Sequence, residues 1–133
     1  MSKTVVTFPP DTEVRRIVAE MLSKNIGAVV VAEGETPVGI FSERDLMRCL
    51  NGGMNDVMDK PVSAVMTANP VTITLDTGFA KAMDTMDSRK IRHLPVVDGE
   101  RLIGILSIKD MLRAQVNFIR EKVKSPTTPV PAA

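Results

Sequence analysis

The sequence predicts an α/β fold of the mixed α+β kind, built from two copies of one β-α-β-β-α unit. Residues 4–50 align without a gap on residues 69–115, and about 15 of the 47 aligned pairs are identical, which indicates an internal repeat. The identical positions include glycines and a Ser-x-x-Asp that follows each glycine-led strand. A unit of this length cannot bury its apolar face alone. We therefore expect the copies to share a core, with functional residues between them.

The first copy shows every element of the unit. A short β-prone segment covers residues 5–7, and Asp11 or Thr12 is placed to cap a helix whose apolar residues follow the 3.6-residue period. Two apolar runs, 28–32 and 38–41, flank a Gly-containing turn and predict a β-hairpin. Ser42 then opens a second helix.

The second copy repeats this order, with Asp76 as the expected helix cap, a hairpin from 94–97 and 102–106, and Ser107 before the last helix. We predict the domain limits as follows: first repeat 1–53, linker 54–65, second repeat 66–122, and a disordered Pro-rich tail 123–133.

Composition argues against several classes of protein. A formal net charge of +1, a pI near 7.9 and the absence of Trp and Tyr give no general attraction to nucleic acid or to anionic membranes. No apolar stretch approaches the roughly 20 residues of a membrane span. The single cysteine, Cys49, has no partner for an internal disulfide. We expect a soluble, cytoplasmic protein.

The repeated Ser-x-x-Asp, Ser42 with Asp45 and Ser107 with Asp110, allows two interpretations. An acid three residues after a helix-capping serine is close to a capping box, which would be a purely structural role. The box prefers the longer Glu or Gln, however, and both copies have Asp. We therefore expect the carboxylates to point elsewhere, toward a ligand.

A nucleotide fits the chemistry of these helix starts. Free N–H groups and the positive end of the helix dipole favour a phosphate, and Arg44 or Lys109 adds a cation beside them. A carboxylate one turn further along could accept both hydroxyls of a ribose. The spacing matches a nucleoside monophosphate, with one candidate site per copy.

A second polar group precedes a core strand of the second copy. Arg92 and the only histidine, His93, stand directly before the apolar run, where the first copy has Gly27 and Ala28. The neighbouring cations at positions 89 and 90 are equally well explained as a solvated helix end. The difference between the copies predicts two unequal sites.

At this point the chain resembles a pair of CBS (cystathionine β-synthase) domains, known as a Bateman module. The resemblance rests on the tandem repeat, on the Gly-led strand followed by Ser-x-x-Asp in both copies, and on the run from Arg92 to Val97. It covers residues 1 to about 120 and is nearest to small stand-alone bacterial CBS-pair proteins. It implies two repeats related by a pseudo-two-fold axis, two clefts between them, and a homodimer built from helices.

The resemblance also implies roles for individual residues, since the family's clefts bind AMP, ATP, NAD(H) or S-adenosylmethionine. The ribose would be held by Asp45 and Asp110, with Ser42 and Ser107 near ribose or phosphate. The adenine would lie against the first strand of the opposite copy. The remaining assignments are Thr4, Val6, Asn69 and Val71 for adenine, and Arg44, Arg92, His93 and Lys109 for phosphate.

We therefore predict a regulatory module that binds an adenosine nucleotide and signals to an unknown protein partner. AMP or ATP is the first expected ligand and NAD(H) the next, and ADP is also among the candidate ligands. No cofactor is required by this prediction. The cations near His93 favour phosphorylated ligands over S-adenosylmethionine. One His, one Cys and no paired metal-ligand spacing argue against an enzyme. The alternative is an adaptor or assembly protein whose clefts are vestigial or hold something other than a nucleotide.

Overall fold

A computed structural model describes residues 5–113. It has the mixed α+β architecture that the repeat predicts. The elements in chain order are β1 (Thr7–Phe8), α1 (Val14–Lys24), β2 (Ala28–Glu33), β3 (Thr36–Ser42), α2 (Glu43–Asn51), β4 (Thr67–Ala68), α3 (Phe79–Arg89), β5 (His93–Asp98) and β6 (Arg101–Ser107). A further helix, α4, begins at 108 and continues to 113, the last described residue. Residue 4 and the predicted tail, 123–133, lie outside the described range.

Both predicted hairpins are present. Strand β2 pairs with β3 antiparallel, and β5 pairs with β6 in the equivalent register. Each hairpin turns at a glycine with positive φ, Gly34 at 61° and Gly99 at 63°. This backbone conformation is favourable for glycine and strained for most other residues, so the repeated glycines are explained by the turns.

The first sheet contains a strand from beyond the linker. Its order is β1-β2-β3-β4, and β4 pairs antiparallel with β3 through Gly39 and Ile40. The second hairpin has no such neighbour among the described residues, and the counterpart of β1 is reduced to a single bridge between Ile73 and Val96. The segment after the linker therefore ties the second copy to the sheet of the first.

The linker is part of the core of the first copy. It folds into two short 3-10 turns, Val57–Asp59 and Val62–Ala64, and the side chains of Val57 and Val62 are fully buried. Among the described residues there is one cluster of buried apolar side chains in each copy, and the linker valines belong to the first. Further strand residues are buried outside both clusters, among them Ala28, Val30, Ala32, Val96 and Val97. The linker thus belongs to the interior of the first copy, and the core that we expect the two copies to share stays a prediction.

The expected N-caps for the first helix of each copy, Asp11 or Thr12 in the first and Asp76 in the second, are wrong. Helix α1 has Glu13 at its N-cap, without a side-chain hydrogen bond. The Thr12 carbonyl instead accepts the Val62 N–H at 2.8 Å, which pairs this segment with the linker. Helix α3 begins after Gly78, while the Asp76 carboxylate accepts the Thr74 hydroxyl in the preceding turn. Thr12 and Asp76 are thus engaged outside the helices that we expected them to cap.

The two hairpins also contact each other directly. The Leu102 N–H donates to the Glu35 carbonyl at 2.8 Å, and the Arg101 guanidinium lies 3.5 Å from the Glu35 carboxylate. The copies thus meet at their turns as well as through β4. Within residues 5–113, no helix has both the length and the apolar character needed to cross a membrane.

Candidate functional site

The Ser-x-x-Asp motif of the first copy forms a complete capping box at the start of α2. The Ser42 hydroxyl accepts the Asp45 N–H at 3.3 Å, and Asp45 Oδ2 accepts both the Ser42 N–H at 2.9 Å and the Ser42 hydroxyl at 3.0 Å. These reciprocal bonds satisfy donors that a helix start leaves unpaired. They also place Asp45 at the edge of β3.

The second oxygen of Asp45 is occupied as well. Its Oδ1 accepts the Thr67 hydroxyl at 3.0 Å and the Arg48 guanidinium at 3.3 Å. Asp45 is only 4% exposed, whereas Arg48 and Thr67 are exposed. The carboxylate is thus enclosed by its own chain, and Thr67 reaches it from β4, beyond the linker.

The motif of the second copy forms the same box. Asp110 Oδ2 accepts the Ser107 N–H at 2.9 Å and the Ser107 hydroxyl at 3.0 Å, and the Asp110 N–H donates to that hydroxyl at 3.2 Å. Partial burial raises the pKa of Asp110, but the hydrogen bonds from Ser107, backbone and hydroxyl, outweigh it and leave the pKa below its ordinary value. The carboxylate is therefore ionised at neutral pH.

The hydrogen bonds at the two helix starts correct two expectations. The aspartates do not simply point away from the helix start, because one carboxylate oxygen of each returns to the cap. The helix-start N–H groups are also partly used, since the Glu43 N–H donates to the Gly27 carbonyl and the Ile108 N–H to the Arg92 carbonyl. A phosphate at either helix start would have fewer free donors than the sequence suggested.

His93 lies where the two motif helices approach each other. Its Cε1 is 4.0 Å from the position that a Cβ would take at Gly27 of the first copy. Burial lowers the pKa of His93; Glu43 and Asp110 act to raise it, and Arg92 and Lys109 to lower it further. His93 therefore faces charges from the starts of both α2 and α4, and it is mostly neutral at pH 7.

An open cavity of about 550 Å³, within the usual size range of small-molecule sites, lies along α3 of the second copy, and Asp45, His93 and Asp110 are not among its lining residues. Its lining includes Arg44 from the first copy and Lys90 and Arg92 from the second, together with the acids Asp84 and Asp87. The Arg44 guanidinium donates to the Lys90 carbonyl at 2.9 Å. Two of the predicted phosphate-binding residues, Arg44 and Arg92, thus border one cavity.

The remaining predicted residues are more scattered. Val6 and Val71 are half-buried and pack against the apolar clusters of their own copies. Asn69 is exposed, has a left-handed backbone with φ of 52°, and donates its N–H to the Val38 carbonyl of β3. Lys109 is exposed in the first turn of α4. The adenine pocket stays a prediction, and Thr4 lies outside the described residues.

Two residues of the site were missed. The Thr67 hydroxyl donates a hydrogen bond to Asp45. The alignment of the repeats contains a sign of this residue, because a hydroxyl residue follows methionine in both copies, at Met66-Thr67 and Met1-Ser2. Glu43 faces His93 across the copies, and its counterpart in the repeat is Ile108. This acid-for-apolar difference could have been noticed in the alignment, but its proximity to His93 depends on how the copies pack.

Comparison with known proteins identifies the class. The CBS domain model matches residues 1–52 and 62–117, so the chain belongs to the CBS domain family and carries a tandem pair. It is 34% identical over 112 residues to an uncharacterized 17.7 kDa protein of Acidianus ambivalens and 32% identical over 113 residues to the arabinose 5-phosphate isomerase KdsD of Yersinia pestis. These alignments cover 83% and 84% of the chain, but only 66% and 34% of the relatives' own lengths.

Solved structures agree with this assignment. The CBS-domain protein ATU1752 of Agrobacterium tumefaciens is 34% identical with a TM-score of 0.80, covering 85% of this chain and 90% of its own. The structure of CBSX2 in complex with AMP is 28% identical with a TM-score of 0.75, covering 86% and 89%. The resemblance stated from the sequence motifs is confirmed.

Proposed function

We propose that this CBS pair is a regulatory module that binds an adenosine nucleotide between its two repeats and passes the binding event to a protein partner. The ribose would be held at Asp45 in one cleft and at Asp110 in the other. In the cleft of Asp110 the phosphate would reach Arg92 and His93 of the same copy. AMP or ATP is the first choice of ligand, ADP belongs to the same class, and NAD(H) comes next.

The observation that carries the proposal is the meeting of the two copies around His93. Glu43 of α2 and Asp110 of α4 both act on the His93 imidazole, and Arg44 joins the second copy through the Lys90 carbonyl. An ionised carboxylate and several cations thus stand at one junction between the copies. A nucleotide offers the matching groups, because its hydroxyls donate to a carboxylate and its phosphate accepts from cations.

The choice among adenosine compounds follows from charge. The side chains of Arg44, Arg92 and Lys109 are exposed cations near the helix starts, and they favour a phosphorylated ligand over the sulfonium of S-adenosylmethionine. The relative CBSX2, 28% identical, was solved in complex with AMP. This supports AMP as the first ligand to test.

Titration calorimetry with AMP, ADP, ATP, NAD(H) and S-adenosylmethionine tests the proposal. We expect saturable binding of at least one phosphorylated compound, and weaker binding of the same compound when Arg92→Ala and His93→Ala are combined. Lys24→Ala is a matched control, because this exposed cation lies at the end of α1 and pairs with Glu20. No binding by any of the five compounds would contradict the proposal.

The alternative is an adaptor that acts through its helices. The exposed fraction of Leu22 on α1 is 77% and that of Met47 on α2 is 68%. Exposed apolar residues mark an interaction surface where they form one continuous patch, and a homodimer through the helices belongs to either function. If this protein dimerises in sedimentation experiments and binds none of the nucleotides, the adaptor function is favoured.

We assign no catalysis to this chain. The aligned residues cover only 34% of the isomerase that the chain resembles, and that protein's activity is not transferred here. A cytoplasmic location remains part of the proposal.

A further inference from the structure

We infer that the Thr67 hydroxyl is an internal competitor for the ribose at Asp45. In the ligand-free protein it occupies the carboxylate oxygen that a nucleotide would use, and it leaves that oxygen when a nucleotide binds. The inference rests on the proposed function, since it concerns regulation of the same cleft. It is limited to Asp45, because the residue that aligns with Thr67, Ser2 of the first repeat, lies outside the described residues.

The hydrogen bonds of Asp45 carry the inference. A carboxylate offers about four acceptor positions, and Asp45 already accepts from the Ser42 N–H, the Ser42 hydroxyl, the Thr67 hydroxyl and the Arg48 guanidinium. The two adjacent hydroxyls of a ribose need two acceptor positions. A ribose can therefore bind Asp45 only if bonds within the chain are given up.

The bonds most easily given up are those to Oδ1. The two Ser42 bonds belong to the capping box, so breaking them would also leave the start of α2 unsatisfied. Thr67 and Arg48 are exposed, and water can replace Asp45 as their partner. Rotation about the Thr67 χ1 bond is enough to move its hydroxyl away. A ribose would thus exchange with Thr67 and Arg48 at Oδ1, and would leave Ser42 in place.

The position of Thr67 links this exchange to the packing of the copies. Strand β4 pairs with β3 through two residues, and the Met66 side chain lies over Gly39, filling the space that a Cβ would need. The contact from Thr67 to Asp45 is therefore part of a short connection that holds the second copy to the first sheet. Nucleotide binding would break one of its few side-chain bonds.

Calorimetric titration of AMP into wild-type protein, Thr67→Val and Thr67→Ser tests the inference. Valine keeps the shape and the β-branch but lacks the hydroxyl, so binding no longer has to break a bond to Asp45. A hydrogen bond to a charged group contributes enough to change an affinity by about tenfold. In Thr67→Val, the site at Asp45 should therefore bind AMP about tenfold more tightly than in the wild type. Serine keeps the hydroxyl, so Thr67→Ser should bind as the wild type does. Thermal melting of each variant without ligand checks that it folds.

The outcomes separate the inference from the proposed function. If wild type and Thr67→Val bind AMP with equal affinity, or the valine variant binds more weakly, the competitor role is overturned and the nucleotide-binding function stands. If neither protein binds AMP, the competitor role falls together with AMP as the ligand. Tighter binding by Thr67→Val and unchanged binding by Thr67→Ser support it.

Discussion

Replacing Asp45 with alanine should destabilise the ligand-free protein by about 2.5 kcal/mol. Loss of the capping box removes about 1 kcal/mol, and loss of the Thr67 hydrogen bond to this nearly buried carboxylate about as much again. The pair with Arg48 adds less than about 0.5 kcal/mol, because the Arg48 side chain is 68% exposed. For a chain of this size, the melting temperature should fall by roughly 10 °C.

Differential scanning calorimetry without ligand measures this change, and Arg48→Ala is the matched control. The control removes only the exposed pair, so its melting temperature should stay within about 2 °C of the wild type. If Asp45→Ala melts at the same temperature as the wild type, the capping box and the Thr67 contact contribute nothing to stability and the expected loss is wrong. A large loss in Arg48→Ala would contradict the assignment of the energy to the buried partners.

Three further predictions concern the linker, β4 and His93. Val62→Ala should cost about 2 kcal/mol in urea unfolding by opening a cavity in the first cluster, while the exposed neighbour Ser63→Ala costs almost nothing; equal effects would contradict a buried linker. Gly39→Ala should destabilise the protein by about 1–3 kcal/mol, because the new methyl group overlaps the Met66 side chain. Adding Met66→Ala to the same chain should relieve part of this loss. If the effects of the two substitutions are fully additive, the side chains at 39 and 66 do not touch. The His93 pKa lies below its usual 6.5 in the folded state, so the unfolded chain binds the proton more readily and stability falls as the pH drops from 6.5 toward the lowered value. His93→Gln should remove that part of the pH dependence in melting experiments, and an unchanged profile would count against it.

Much of the fold was readable from the repeat. The hairpin strands are predicted within two residues of their observed ends, because their apolar runs are bounded by glycine turns and a serine cap. The helix caps of α1 and α3 were missed, since Thr12 pairs with the linker and Asp76 with its own turn. Such pairing depends on residues distant in the sequence, and local patterns do not report it.

The site was predicted less completely. Ser42 and Asp45 can be picked out because they recur in the second copy. Their capping role and their proposed ligand role use the same side chains, however, and the cap takes one carboxylate oxygen of Asp45. The meeting of Glu43 with His93 and the contact from Thr67 to Asp45 both cross between the copies. Sequence alone gives neither, because both depend on how the two repeats are docked.

Nucleotide binding between the two repeats is tested most directly by the amide NMR spectrum of the labelled protein during titration with AMP. We expect saturable shifts that include the starts of α2 and α4, the Arg92–His93 segment and Thr67, because the ligand would lie between the two repeats. Saturable binding with shifts confined to one repeat, away from Asp45 and His93, would contradict a shared site. A spectrum unchanged by AMP, ATP and NAD(H) would contradict nucleotide binding itself.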